Sequence, residues 1–118
     1  YAWKPTGRHR WYADRKQTTV WQFDRPKRSE EHPTMKPVAL CAYPIKNSSA
    51  PNGIVLDPFG GSGSTLIACE QLDRICYMVE LDEKYSDVIV KRYIEYVGSG
   101  EGVFLLRAGQ KISYKDTL

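Results

Sequence analysis

The feature that most limits how this chain can fold is the string Ile54-Val55-Leu56-Asp57-Pro58-Phe59-Gly60-Gly61-Ser62-Gly63-Ser64-Thr65. An apolar run ends on a carboxylate, a glycine cluster follows, and a helical segment starts directly behind it. In open α/β sheets that order puts an acid and bare backbone amides at the carboxyl edge of a strand, where ligands bind. Glycine suits the turn because it accepts backbone angles closed to other residues and lets a ligand approach without meeting a Cβ. The string therefore reads as a small-molecule site at a strand-to-helix turn.

The flanking pattern predicts the rest of an α/β unit. A helix over about residues 64–72 leads to a second strand at residues 74–80, which ends on Glu80. Asp82 can cap the next helix, where Tyr85, Val88, Ile89, Arg92, Tyr93 and Tyr96 recur at helical spacing. Arg92 alone interrupts that largely apolar stripe, and Gly98-Ser99-Gly100 stops the helix. Residues 103–106 form a third strand, which Ala108-Gly109-Gln110 turns into a hairpin with residues 112–114. This succession predicts a right-handed β-α-β-α-β unit with a parallel sheet. Upstream, residues 18–23 alternate β-branched and aromatic with polar side chains, which predicts an N-terminal strand. A helix follows to about Asn47, with Thr34 as its cap, Pro37 in its first turn and Pro44 kinking or shortening it.

Composition narrows the class. With 118 residues, 42% of them hydrophobic, the chain suits one domain with its own core. No run approaches a membrane span, and the start of the chain does not resemble a signal peptide. Cys41, Cys69 and Cys76 form no Cys-x-x-Cys pair and have only His9 and His32 to assist them. Reduced thiols in a cytoplasmic protein, with no metal site, are the expectation. Residues 1–36 hold nine Lys/Arg against four acids, whereas residues 37–118 hold eight against ten. The basic end also carries Trp3, Trp11 and Trp21 with Tyr1, Tyr12 and Phe23. Cations interleaved with aromatic rings suit a nucleic-acid backbone and unstacked bases, or else a solvated basic face with its tryptophans packed inward.

The glycine loop has three candidate ligands. A phosphate-binding P-loop needs Gly-Lys-Ser/Thr, but Ser64 follows Gly63 directly. A dinucleotide Gly-x-Gly-x-x-Gly is matched only in part, since Gly61-x-Gly63-x-x ends on Leu66. Glu80 ends the next strand twenty residues beyond Gly60, where a carboxylate accepts the hydroxyls of a ribose. An adenosine-containing ligand follows. Asp57 repels a pyrophosphate and attracts an ammonium group. S-adenosylmethionine, with an amino-acid end, a sulfonium and no phosphate, fits that balance best, and an NAD-type dinucleotide remains the weaker alternative.

The string Asp57-Pro58-Phe59-Gly60-Gly61-Ser62-Gly63-Ser64-Thr65 resembles motif I of the DNA amino-methyltransferases. His32-Pro33-Thr34-Met35-Lys36-Pro37 resembles their motif X, and Val79-Glu80-Leu81-Asp82 their motif II. Motif X ahead of motif I is the order of the family's β group. Trp11-Tyr12-Ala13-Asp14-Arg15-Lys16-Gln17 and Arg107-Ala108-Gly109-Gln110-Lys111-Ile112-Ser113-Tyr114 are similar in flavour to phage and prophage adenine-type enzymes. The resemblance implies a partial Rossmann-like, S-adenosylmethionine-dependent methyltransferase fold of the α/β class. Residues 1–31 would end a target-recognition and catalytic half, and residues 32–118 would form the S-adenosylmethionine-binding subdomain. Asp57, Phe59, Gly60, Gly61, Ser62 and Gly63 are implied to line the methionine half of the cofactor. Glu80 takes the ribose, with Leu81 beside it, while Thr34, Lys36 and Pro37 close the site from the other side.

The implied activity is methyl transfer to the exocyclic amine of adenine, less readily cytosine, in double-stranded DNA, as in restriction-modification. In this group a catalytic Asp/Asn/Ser-Pro-Pro-Tyr/Phe/Trp motif precedes motif X, yet the chain contains no Pro-Pro. The expectation is a C-terminal part that carries the cofactor site, holds no catalytic residue and is inactive alone. Its partners would be DNA and the missing catalytic half. A sheet without that half is expected to expose an edge or an apolar face and so to favour homo-oligomers. The competing reading is a DNA-binding module without catalysis.

Overall fold

A computed structural model describes residues 2–24 and 35–118. Its elements are α1 (Val38–Ser48), β1 (Ile54–Asp57), α2 (Ser64–Gln71), β2 (Ile75–Met78), α3 (Glu83–Val97), β3 (Phe104–Arg107) and β4 (Gln110–Ser113), followed by a 3-10 turn at Tyr114–Thr117. His32, Pro33 and Thr34, and with them the expected Thr34 cap, lie outside the described residues.

The glycine string forms the strand-turn-helix that its order requires. β1 and β2 pair in parallel, from Ile54 opposite Ile75 to Asp57 opposite Met78. The two strands therefore finish level. Pairing continues past them, with Val79 N donating to Asp57 O at 2.9 Å and Gly60 N to Val79 O at 2.8 Å. That extension delivers Glu80 to the mouth of the glycine loop. The chain is thus an α/β protein built on a parallel β-α-β unit.

Alternation along β1 and β2 sends successive side chains to opposite faces. Val55 and Cys76, partners in register, pack with Ile45 of α1 and with Ala68 and Cys69 of α2, so the core lies on that side. The other face is open: Ile54, Leu56, Ile75 and Tyr77 are between 48% and 67% exposed. Arg74, at the entrance to β2, donates through Nε to Ser49 Oγ at 3.0 Å and through Nη2 to Ser49 O at 2.8 Å. It thereby ties the end of α1 to the sheet. The N-terminal segment docks on α1 through a reciprocal amide pair. Gln17 Nε2 donates to Asn47 Oδ1 at 2.9 Å, Asn47 Nδ2 donates to Gln17 Oε1 at 2.7 Å, and Tyr12 N donates to Asn47 O at 2.8 Å. These bonds satisfy Asn47, which is buried.

Four expectations are corrected. Residues 18–23 form no strand. Thr18 Oγ1 donates to Val20 O and Trp21 Nε1 to Thr18 O, and such local bonds give the segment an alternative to a ladder. β3 does not join the parallel sheet; its partner is β4, antiparallel, from Phe104 opposite Ser113 to Arg107 opposite Gln110. The hairpin was legible: Ala108 and Gly109 both have positive φ, the pair of angles that a tight two-residue connection needs. Proximity in sequence then supplied β3 with its neighbour. α1 is not shortened at Pro44 and runs on to Ser48, held by Ile45 in the core. Pro37 sits at the N-cap of α1, one position before the first turn, and no side chain caps it. Asp82 does cap α3, accepting from Lys84 N at 2.8 Å, and Gly98 closes that helix in the left-handed region. Among the described residues, no helix is long and apolar enough to cross a membrane.

Candidate functional site

Four polypeptide segments meet around the glycine loop. Asp57 ends β1, and its Oδ1 accepts the Phe59 amide at 3.0 Å, which folds the chain back over the strand end. Gly63 takes φ +81° as the N-cap of α2, a conformation that side-chain-bearing residues rarely adopt. Gly60 is pressed against β2: a Cβ there would lie 2.7 Å from Met78 Cγ. The loop is therefore glycine-rich for the backbone angle inferred from its sequence, at Gly63, and at Gly60 for a close approach by Met78 of the protein itself rather than by a ligand.

The loop is anchored from three directions. Glu80 Oε2 accepts the Gly61 amide at 2.7 Å, and Oε1 accepts the Asp82 amide at 2.9 Å. The Asp82 and Gly61 amides hold the Glu80 carboxyl below its ordinary pKa. From α3, Arg92 Nη1 donates to the carbonyl of Ser62, whose residue is buried. From the segment before α1, the carbonyl of Lys36 accepts the Ser64 hydroxyl at 2.8 Å, so that segment and the glycine string touch directly.

These anchors leave a cavity of about 190 Å³ lined by Lys36, Asp57, Phe59, Gly60, Gly61 and Ser62, together with Cys41, Ser64 and Thr65. Six of the eleven residues expected at the site line it. Glu80 joins them through Gly61, and Gly63 sits behind them as the helix cap. Pro37 stands at the start of α1, while Leu81 is fully exposed and does not line the cavity. Thr34 lies outside the described residues. Ser64 and Thr65, at the end of the quoted string, also belong to the lining, which their position directly after the glycines signalled. Cys41 was missed, because nothing in an apolar helix marks which of its residues faces a cavity. Burial raises the Cys41 thiol pKa, and a protonated thiol is a poor nucleophile. Lys36 and Asp57 put opposite charges on one small cavity, an arrangement that suits a zwitterionic ligand end.

A DNA methylase family profile, N6_N4_Mtase, matches residues 4–91. The chain is 37% identical over 76 residues to the Type II methyltransferase M.SmaI of Serratia marcescens, covering 64% of this chain and 26% of that protein. It is 31% identical over 105 residues to the Type II methyltransferase M2.MboI of Moraxella bovis, covering 86% of this chain and 38% of that protein. Among solved structures, the M1.HpyAVI–SAM complex is similar with a TM-score of 0.60 and 33% identity, covering 70% of this chain and 43% of the other. The chain thus spans 26% and 38% of the length of those two curated relatives.

Proposed function

Since the chain belongs to the DNA methylase family whose profile covers residues 4–91, we propose that it is the S-adenosylmethionine-binding part of a DNA amino-methyltransferase of the β group. One observation carries this reading: Glu80, two residues beyond the end of β2, accepts a hydrogen bond from the Gly61 amide of the loop at 2.7 Å. A carboxylate offers about four acceptor positions, and the Gly61 and Asp82 amides take two of them. The remaining lone pairs suit the two hydroxyls of a ribose. Asp57 then serves the ammonium end of the ligand and Lys36 its carboxylate, with Phe59 and the glycine amides between them. When bound, the cofactor supplies an electrophilic methyl group on a sulfonium. This chain's residues bind and orient it.

Residues 32–118 make up the cofactor subdomain in this reading, and residues 1–31 the end of the target-recognition half. The acceptor is the exocyclic amine of adenine, as in the phage-type enzymes that the sequence resembles. The chain contains no Pro-Pro, so in this reading none of its residues holds the target amine. Calorimetry tests the proposal. S-adenosylmethionine should bind the wild-type chain, and Asp57→Ala and Glu80→Ala should each weaken binding by about tenfold or more, the worth of a hydrogen bond to a charged group. NAD should give no heat. Heat with NAD and none with S-adenosylmethionine would overturn the assignment, and methyl transfer to DNA by this chain alone would overturn its inactive-alone element.

A further inference from the structure

A second, larger cavity of about 770 Å³ lies between the N-terminal segment and α1. Its lining includes Trp11, Arg15, Gln17, Thr18, Trp21 and Pro44. We propose that this cavity seats one unstacked nucleotide of a DNA strand, its base on Trp21 and its phosphate on Arg15. The proposal rests on the methyltransferase reading above and adds to it the place where nucleic acid meets this chain.

Three observations support it. The walls are fixed: the Gln17–Asn47 amide pair holds the segment on α1, and the Trp21 indole is oriented by its N–H bond to Thr18 O at 3.0 Å. Trp21 also meets Tyr43 edge-on at 4.8 Å and remains 41% exposed. A rigid, half-open indole stacks on any base. The chemistry is matched as well, because a guanidinium pairs with phosphate oxygens in a planar, bidentate fashion and Arg15 is exposed on the basic end of the chain. Finally, the cavity communicates with the glycine loop. Trp21 and Pro44 also line a groove whose other wall includes Lys36, Asp57 and Thr65, all residues of the glycine-loop cavity. A strand held at Trp21 thus lies at one end of a groove that opens at the cofactor site.

The test uses the whole 118-residue chain and a labelled single-stranded oligonucleotide of about twelve nucleotides, within the usual site-size range. Fluorescence anisotropy should show salt-dependent binding. Trp21→Ala should weaken it by about fivefold or more, Trp21→Phe should restore most of the loss, and Arg15→Ala should reduce the salt slope by about one. Arg15→Ala should leave S-adenosylmethionine calorimetry unchanged, whereas Asp57→Ala should lose the cofactor and keep the oligonucleotide. Adenosine monophosphate measures the free-nucleotide source, and binding as tight as that of the oligomer would overturn the assignment to DNA. Equal displacement by polyglutamate, or wild-type affinity in both Trp21→Ala and Arg15→Ala, would overturn the site. If Trp21→Ala does not fold, Arg15→Ala decides. Absence of cofactor binding would count against the methyltransferase reading alone, since the oligonucleotide measurements are read independently of it.

Discussion

Glu80 shows how one side chain carries both structure and chemistry. Its two oxygens bridge the amides of Asp82 and Gly61, so the acid two residues past β2 also sets the path of the loop after β1. Those amides favour the charged form and hold the pKa below its ordinary value of 4.5. A carboxylate stabilised in this way favours the folded loop above that ordinary value, and its contribution is lost as the pH falls through the lowered one. In an NMR titration, the Gly61 and Asp82 amide protons should therefore move together, with a midpoint below 4.5. A midpoint above 4.5 would mean that the amides do not control this acid. Cys69 is the contrasting case: it packs fully buried in the core, and that burial pushes its thiol up to about 12.

At the scale of elements, Arg92 is instructive. In sequence it breaks the apolar stripe of α3, which suggests either a solvated position or a specific partner. The structure supplies the partner, the carbonyl of Ser62 in the glycine loop. Truncation to alanine leaves that carbonyl without its donor, at a cost of about 1–3 kcal/mol. Arg92→Ala should therefore lower the melting temperature by roughly 4 °C or more for a domain of this size and weaken S-adenosylmethionine binding in parallel, with Arg92→Lys recovering part of both. Unchanged melting and binding would show that α3 does not position the loop. The same scale explains what was legible in the chain. β1, α2, β2 and α3 announce themselves through local signals: periodicity, the glycines of the loop and the Asp82 cap. The meeting of the two strand ends followed from their order, since a parallel β-α-β unit brings them together, whereas the Gly61–Glu80 bond itself was not foreseen. Residues 18–23 misled because β-branched alternation makes a strand only where a neighbour stands beside it. β3 misled because a two-residue turn outcompeted a distant parallel partner. Arg92, Cys41 and the Trp21 groove join segments far apart in sequence, and no local pattern encodes such contacts.

At the scale of the whole molecule, the dominant fact among the described residues is a two-stranded parallel sheet with α1 and α2 packed on one face and the other face exposed. Parallel strands are normally buried on both faces. Here Ile54, Leu56, Ile75, Tyr77 and Val79 all stand between 48% and 67% exposed, and in register Ile54 lies beside Ile75 and Leu56 beside Tyr77. The result is a contiguous apolar surface flanked, among the described residues, by two unpaired strand edges, the combination that drives association. Two copies of this chain can each cover the other's face, so sedimentation velocity should show mass rising with protein concentration. The double variant Ile54→Lys, Tyr77→Lys places two charges of like sign on that face, on adjacent strands, where two copies would repel, and should return the chain to a monomer. Neither residue lines the glycine-loop cavity or the groove beside it, so S-adenosylmethionine affinity should survive the change. A wild-type chain that stays monomeric at high concentration would show that the face tolerates water. A double variant that becomes monomeric but loses the cofactor would instead tie the sheet surface to the site.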